Sequence, residues 1–248
     1  MSIYSTLLDK LTTDRALYLI LLDPDRFHGA DLEEFANRCA VAGVDGFLVG
    51  GSLMVSGDFD QAIKTLKNLT HLPVIIFPGG LSQISPFADA ILFLSIISGR
   101  NAEHLIGKHV LAAPTIKRHK LEAISTGYML IESGRRTTAE YMSGSMPIPG
   151  HKPEIAVATA LAAEYLGMKF VYLEGGSGAD QPVPYEMVHA VAKNLSIPVI
   201  VGGGIRTPET AGKMVDAGAK ILVTGNHFED KQNWGLLKDF ADAVKGRV

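Results

Sequence analysis

Eight short apolar runs punctuate the chain, each bounded by glycine, proline or aspartate. They are Ala16–Leu22, Gly46–Val49, Pro73–Phe77, Ala90–Leu94, Gly127–Ile131, Phe170–Leu173, Pro198–Val201 and Ile221–Val223. Apolar positions within them are continuous rather than alternating, the pattern of strands buried on both faces of a parallel sheet. Between most of them the period lengthens to that of an amphipathic helix. Asp31–Ala42 places Leu32, Phe35, Ala36 and Cys39 on one face, with Asp31 as N-cap. Pro153–Leu166, Pro184–Leu195, Thr207–Ala217 and Asn233–Val244 repeat the period, and Pro153, Pro184 and Pro208 suit first helical turns. Strand alternating with helix predicts one α/β domain over residues 1–248, a single (β/α)8 barrel. An open doubly wound sheet also alternates, but usually with fewer strands.

Two connections break the rhythm. Residues 78–89 are too few, and too rich in Gly, Pro and Ser, for a full helix between the third and fourth strands. Residues 132–152 are many and carry Gly134, Gly144, Pro147, Pro149 and Gly150, which predicts a loop over the barrel mouth. The first ten residues predict a helix closing the barrel floor, with Ile3, Leu7 and Leu8 inward.

Composition narrows the function classes. A length of 248 residues is that of one barrel. A net charge of -3 gives no electrostatic footprint for nucleic acid. The lone Cys39 excludes an internal disulfide and suits a reducing compartment. The N-terminus has no secretory pattern, and the longest apolar stretch, residues 90–97, is far short of the ~20 residues a membrane-spanning helix needs. The expectation is a soluble, cytoplasmic protein.

In a β/α barrel the chemistry sits where strands end. The first strand ends Leu22-Asp23-Pro24-Asp25, the second Val49-Gly50-Gly51-Ser52, and the sixth Tyr172-Leu173-Glu174-Gly175-Gly176-Ser177-Gly178. The seventh ends Gly202-Gly203-Gly204-Ile205-Arg206 and the eighth Gly225-Asn226. Any one glycine turn serves equally to reverse the chain. Three in succession predict a phosphate site, because glycine lets backbone N–H groups approach an anion and a helix N-terminus adds favourable partial charge. Asp23 and Asp25 suggest a divalent cation such as Mg²⁺, which binds through one or two carboxylates plus substrate phosphates. Asp25 better suits capping a turn. Ser52 could bring a hydroxyl towards the same anion. Glu174, ending a buried strand beside Tyr172 and before a phosphate turn, suits a base acting on a hydroxyl; an ion-pair partner is its plain alternative. Arg135 and Arg136 are either surface charge or contacts to a diphosphate. No His/Cys zinc cluster, Gly-x-Ser-x-Gly elbow or Gly-Lys-Ser/Thr loop occurs.

Together these motifs resemble the geranylgeranylglyceryl phosphate synthase family along nearly the whole chain, most specifically at Tyr172–Gly178. The resemblance implies a modified barrel whose short third connection replaces a regular helix. It also implies a prenyltransferase joining a geranylgeranyl group from its diphosphate to the 3-hydroxyl of sn-glycerol 1-phosphate, the first ether bond of an ether phospholipid. By the same resemblance Asp23 and Ser52 bind Mg²⁺. Tyr172, Leu173, Glu174, Gly175, Gly176, Ser177, Gly178, Gly203, Gly204, Gly225 and Asn226 hold glycerol phosphate, with Glu174 and Tyr172 at the reacting hydroxyl. Residues 77–80 and the third connection are places for the prenyl tail. Bacterial heptaprenyl-transferring relatives carry a lysine where this chain has Leu21. That departure, with Arg135-Arg136 and the double glycine after Glu174, points to the longer, often hexameric branch. A homo-oligomer, dimer or hexamer, and a peripheral membrane contact for product release are further implications. In archaeal relatives an aromatic residue near 102–105 limits tail length; this chain has His104 there. Two rivals stand beside this reading: a phosphosugar isomerase with Asp23 opposed to Glu132, and a barrel that binds phosphoglycerol without catalysis.

Overall fold

The structure, a computed structural model, describes residues 2–247; Met1 and Val248, the ends of the expected domain, lie outside the described residues. The elements run α1 (Ile3–Thr13), β1 (Leu17–Leu22), α2 (Gly29–Ala42), β2 (Gly46–Val49), α3 (Phe59–Leu69), β3 (Val74–Ile76) and β4 (Ala90–Ile96). A π-helical turn (Glu103–Gly107) leads into α4 (Lys108–His119), followed by β5 (Glu122–Leu130), α5 (Thr138–Ser143), α6 (Pro153–Tyr165) and β6 (Phe170–Glu174). The chain continues with α7 (Tyr185–Asn194), β7 (Val199–Gly202), α8 (Pro208–Asp216), β8 (Ile221–Thr224), two 3-10 turns (Asn226–Glu229 and Lys231–Leu236) and α9 (Leu237–Lys245). The eight strands pair in parallel, each with its sequence neighbours, and β8 closes on β1.

Alternation along each strand sorts side chains into two layers, and this positions the site. Leu17, Leu19, Leu48, Ile75, Tyr128, Phe170, Tyr172 and Ile200 point into the barrel. Tyr18, Ile20, Leu22, Val171, Leu173 and Val201 point out and pack against the helices. Extending the period by one step at each strand end carries Asp23 and Glu174 inward over the mouth.

Helix α1 plugs the floor. Glu122, at the start of β5, accepts hydrogen bonds from the N–H groups of Ile3 (2.5 Å) and Tyr4 (3.1 Å), satisfying orphan donors of the helix N-terminus. Leu7 inserts into the inner layer, while Leu8, expected inward, is only half-buried. Buried Asp45 ties both end helices to the barrel. Its carboxylate accepts from Lys10 and Lys245, each at 3.1 Å, and from the Tyr18 N–H at 3.0 Å. Removing one member of a buried pair strands the rest, which typically costs about 3–5 kcal/mol. Asp45→Ala is therefore expected to lower the unfolding midpoint markedly in a urea titration at neutral pH, whereas Lys10→Ala, at the exposed edge, costs far less.

Several boundaries differ from the sequence reading. β5 begins at Glu122 rather than Gly127, because its floor half is polar and Glu122 is needed by α1. Asp31 is not the cap of α2: the helix starts at Gly29, and His28 stands at the N-cap without a side-chain bond. Pro184 is the N-cap of α7 rather than a residue of its first turn. The final helix is preceded by a 3-10 turn spanning Asn233. Helices α3 and α4 were not anticipated; Asp58 caps α3 by accepting from the Gln61 N–H at 2.9 Å, and α4 runs through Pro114. Residues 78–89 form no helix, and only two residue pairs join β3 to β4, so the helical layer is open beside that seam. The long loop after β5 carries the short α5 and a single bridge from Ile131 to Ile148.

Candidate active site

Two cavities meet at the C-terminal ends of the strands. The polar one, about 120 Å³, is lined by residues of β1, β6, β7 and β8 and the turns that follow them. The apolar one, about 180 Å³, lies over β4 where the third helix of the usual pattern is missing, between the 77–84 turn and α4. Gly51, Ser52, Phe77, Tyr128 and Ala139 line both. They form the doorway between the two.

Glu174 stands in the polar cavity with only 5 % of its surface exposed. Burial pushes its carboxyl up to about 7, against the lowering effect of the Gly176 N–H, which donates to Oε1 at 2.6 Å, and of the Tyr172 and Tyr128 phenols. A side chain at Gly203 would overlap that same oxygen and the Gly176 nitrogen, and the φ of +84° there also requires glycine. Tyr172 is fully buried, stacked on Phe77 at 5.4 Å between ring centres, and its hydroxyl, close enough to Glu174 to bear on that carboxyl, makes no hydrogen bond of good geometry. A buried donor left unsatisfied invites a ligand oxygen.

Asp23 lies half-buried across the mouth. Burial raises its carboxyl above the ordinary range; the Asp25 N–H, donating to Oδ1 at 3.0 Å, opposes this. Its Oδ2 abuts Gly51, where even a methyl group would crowd the carboxylate. Among the described residues no three His, Cys, Asp or Glu side chains gather as a metal cage. Asp23 and Ser52 line the same cavity, and one carboxylate is a donor set that suits Mg²⁺, which commonly takes one or two protein carboxylates and completes its shell with phosphate oxygens and water. Asp25 has another task. It accepts from the N–H groups of Val55 (2.7 Å), Ser56 (3.0 Å) and Gly57, pinning the loop after β2, and those bonds hold its carboxyl below the usual range.

The glycine turns after β6, β7 and β8 meet at the polar cavity. Ser177, Gly178, Gly203, Gly204, Gly225 and Asn226 line the polar cavity. The Gly175 N–H is already bonded to Gly202 O at 2.9 Å and that of Gly176 to Glu174, so neither is offered to a ligand. The Leu173 side chain faces the outer layer, away from the site. Arg135 donates to Gly178 O and lies 3.5 Å from Asp180, while Arg206 donates to the carbonyls of Ala179 (2.5 Å) and Asp180 (3.1 Å). Both arginines brace the β6 turn, and Arg136 is exposed. Glu132 is exposed and accepts from the Gly150 N–H at 3.2 Å; it does not line the cavity, so the opposed Asp23–Glu132 pair of an isomerase does not form.

Three contributors escaped the sequence reading. Buried Gln83 clips the second and third turns together, accepting from the N–H groups of Gly51 (3.3 Å) and Gly79 (3.0 Å) and donating to Gly51 O (2.8 Å). Buried Thr137 caps α5 and packs on Gly176. Glu229 lines the cavity from the turn after β8.

A closed barrel whose last three glycine turns converge on one cavity, with an apolar cleft meeting it at Tyr128, defines a β/α-barrel enzyme scaffold. The chain belongs to the PcrB family, which it matches over residues 9–245. It is 46% identical over 242 residues to the geranylgeranylglyceryl phosphate synthase of Chitinophaga pinensis, covering 98% of this chain and 95% of that one. The synthase of Thermococcus gammatolerans is 46% identical over 222 residues, covering 89% and 87%. The crystal structure of (S)-3-O-geranylgeranylglyceryl phosphate synthase from Thermoplasma acidophilum in complex with substrate sn-glycerol-1-phosphate superposes with a TM-score of 0.92 at 36% identity, covering 99% of both chains.

Proposed function

We propose that this chain is a prenyltransferase joining a geranylgeranyl group from geranylgeranyl diphosphate to the 3-hydroxyl of sn-glycerol 1-phosphate, the first ether bond of an ether phospholipid. The observation that carries this reading is the placement of Glu174: a buried carboxylate, its pKa pushed up to about 7, in the polar cavity beside Tyr128 of the doorway to the apolar groove. The acceptor phosphate sits in the turns after β6, β7 and β8. Its 3-hydroxyl reaches Glu174, and the unpartnered Tyr172 hydroxyl hydrogen-bonds a glycerol oxygen. The prenyl tail lies along Phe77, Ile84, Phe93 and Ala112, with its reacting end at the doorway. There the allylic C–O bond breaks, diphosphate leaves with the electron pair, the glycerol oxygen bonds to the prenyl carbon, and Glu174 takes the hydroxyl proton. Mg²⁺ held by Asp23 and Ser52 would neutralise charge on the leaving diphosphate.

His104 lines the groove 3.4 Å from Lys108, which places it to bear on tail length. Among the described residues no helix is long and apolar enough to cross a membrane. The reading takes the enzyme as cytoplasmic, with peripheral membrane contact through exposed Ile106, Val110 and Leu111 of the groove-side helix releasing the product. It also includes a homo-oligomer, dimer or hexamer, supported by exposed Tyr165 and Leu166 at the end of α6. The test is a transfer assay with Mg²⁺, sn-glycerol 1-phosphate and prenyl diphosphates of several lengths, beside the mirror-image acceptor. Ether product with the expected mass, preferred from sn-glycerol 1-phosphate, supports the reading; absence of product with every donor rules it out.

A further inference from the structure

Glu229 ends the 3-10 turn that begins at Asn226, directly after the strand-eight glycine. Its Oε1 accepts a hydrogen bond from Asn226 Nδ2 at 2.7 Å. The Asn226 Oδ1 in turn accepts one from Ser177 Oγ, also at 2.7 Å. On its other side Glu229 Oε2 lies 3.9 Å from Arg26 Nε. One carboxylate thus joins the turns after β8 and β6, with the loop after β1 completing the chain.

An asparagine amide is nearly symmetric in shape but has a donor end and an acceptor end. A carboxylate only accepts, so Glu229 turns the amide's NH₂ towards itself and its oxygen towards Ser177. The Ser177 hydroxyl must then donate. With the Ser177 hydroxyl and one of the two Asn226 amide hydrogens committed, the link fixes the spacing of the two turns and leaves the second Asn226 N–H free. A carboxylate beside a phosphate site is otherwise unfavourable; Arg26 offsets its charge.

We propose that Glu229 is a positioning residue for the acceptor: by locking Asn226 onto Ser177, it holds the strand-six and strand-eight turns at the separation the phosphate of sn-glycerol 1-phosphate requires. This rests on the acceptor assignment above.

Four variants of the full chain test it: Glu229→Ala, Glu229→Gln, Asn226→Ala and the Asn226→Ala/Glu229→Ala double variant. Wild-type binding of sn-glycerol 1-phosphate is measured first by calorimetry. Glu229→Ala is expected to raise both the Kd and the KM for sn-glycerol 1-phosphate by about five- to tenfold, the size of one ordinary net hydrogen bond, with kcat and the prenyl diphosphate KM nearly unchanged. Glu229→Gln retains an accepting oxygen for Asn226 and is expected to restore most of that loss. Because Glu229 acts through Asn226, the double variant is expected to bind no more weakly than Asn226→Ala alone. Additive losses, a shift in the prenyl diphosphate KM instead, or a Gln variant as weak as Ala each overturn the proposal. Wild-type protein that fails to bind sn-glycerol 1-phosphate overturns the acceptor assignment itself; normal wild-type binding with an unaffected Glu229→Ala overturns only the role of Glu229.

Discussion

Glu174→Gln is expected to abolish nearly all turnover while leaving the protein more stable than wild type above neutral pH. Gln keeps the shape of Glu and can still accept from the Gly176 N–H, so the cradle beside it survives and sn-glycerol 1-phosphate still binds. What Gln cannot do is take the hydroxyl proton. General-base groups typically contribute 10²–10⁴-fold, so a loss of about a thousandfold in kcat is the expected scale. The stability gain follows from the sign of the pKa shift. The carboxyl rises from 4.5 to about 7 in the folded chain, so the native state holds the proton more tightly than the unfolded one. Stability therefore falls as pH rises between those values, and the full cost of the buried charge is present above them. A neutral isostere carries no such cost. Thermal unfolding at pH 8 should place the Gln variant above wild type, with the gap closing towards pH 4. The wild-type rate should rise with pH through a value near 7, as the base form fills. A variant with near-normal turnover, or a pH profile flat through that range, removes Glu174 from the mechanism.

The second large effect is expected at Asp23. Asp23→Asn preserves the acceptor for the Asp25 N–H and the packing against Gly51, so the strand-one loop keeps its form. It removes the charge that would hold Mg²⁺ against the donor diphosphate. Outer-shell changes alone typically cost about 10–100-fold in metal affinity or activity, so loss of a charged ligand is expected to cost at least about a hundredfold in kcat/KM. The Mg²⁺ concentration for half-maximal rate should move upward with it, and binding of geranylgeranyl diphosphate should become insensitive to Mg²⁺. An unchanged Mg²⁺ titration contradicts the role. The two variants are expected to differ in kind: Glu174→Gln spares both substrates' binding, whereas Asp23→Asn spares only the acceptor's.

Why so much of the candidate site's placement was legible follows from barrel geometry. A strand buried on both faces is a continuous apolar run, so the first charged residue after it marks the mouth. Asp23 and Glu174 announce themselves in this way, and the glycine turns mark the strands beside them. What stayed hidden was set by partners far away in the chain. Asp25 looked like a turn cap, yet it pins residues 55–57; nothing local to it specifies that loop. Gln83 and Thr137 are ordinary polar residues in loops, and only folding brings them against Gly51 and Gly176. Glu229 follows its motif by three residues and gains meaning from Ser177, more than fifty positions earlier. The fold shows the same division. Five of the six helices anticipated have clear periods, whereas α4 was obscured by Pro114 and a basic final turn. The floor half of β5 was missed because Glu122 serves the terminal helix α1 rather than the sheet. The Leu173 side chain was grouped with the site because it lies inside the most specific motif, but strand alternation turns it outward.

The most direct measurement is a crystal structure of this chain with sn-glycerol 1-phosphate bound. The account predicts the phosphate among the turns after β6, β7 and β8, and the 3-hydroxyl oxygen within about 2.6–3.2 Å of a Glu174 oxygen. A phosphate held elsewhere, or a 3-hydroxyl turned away from Glu174, contradicts it.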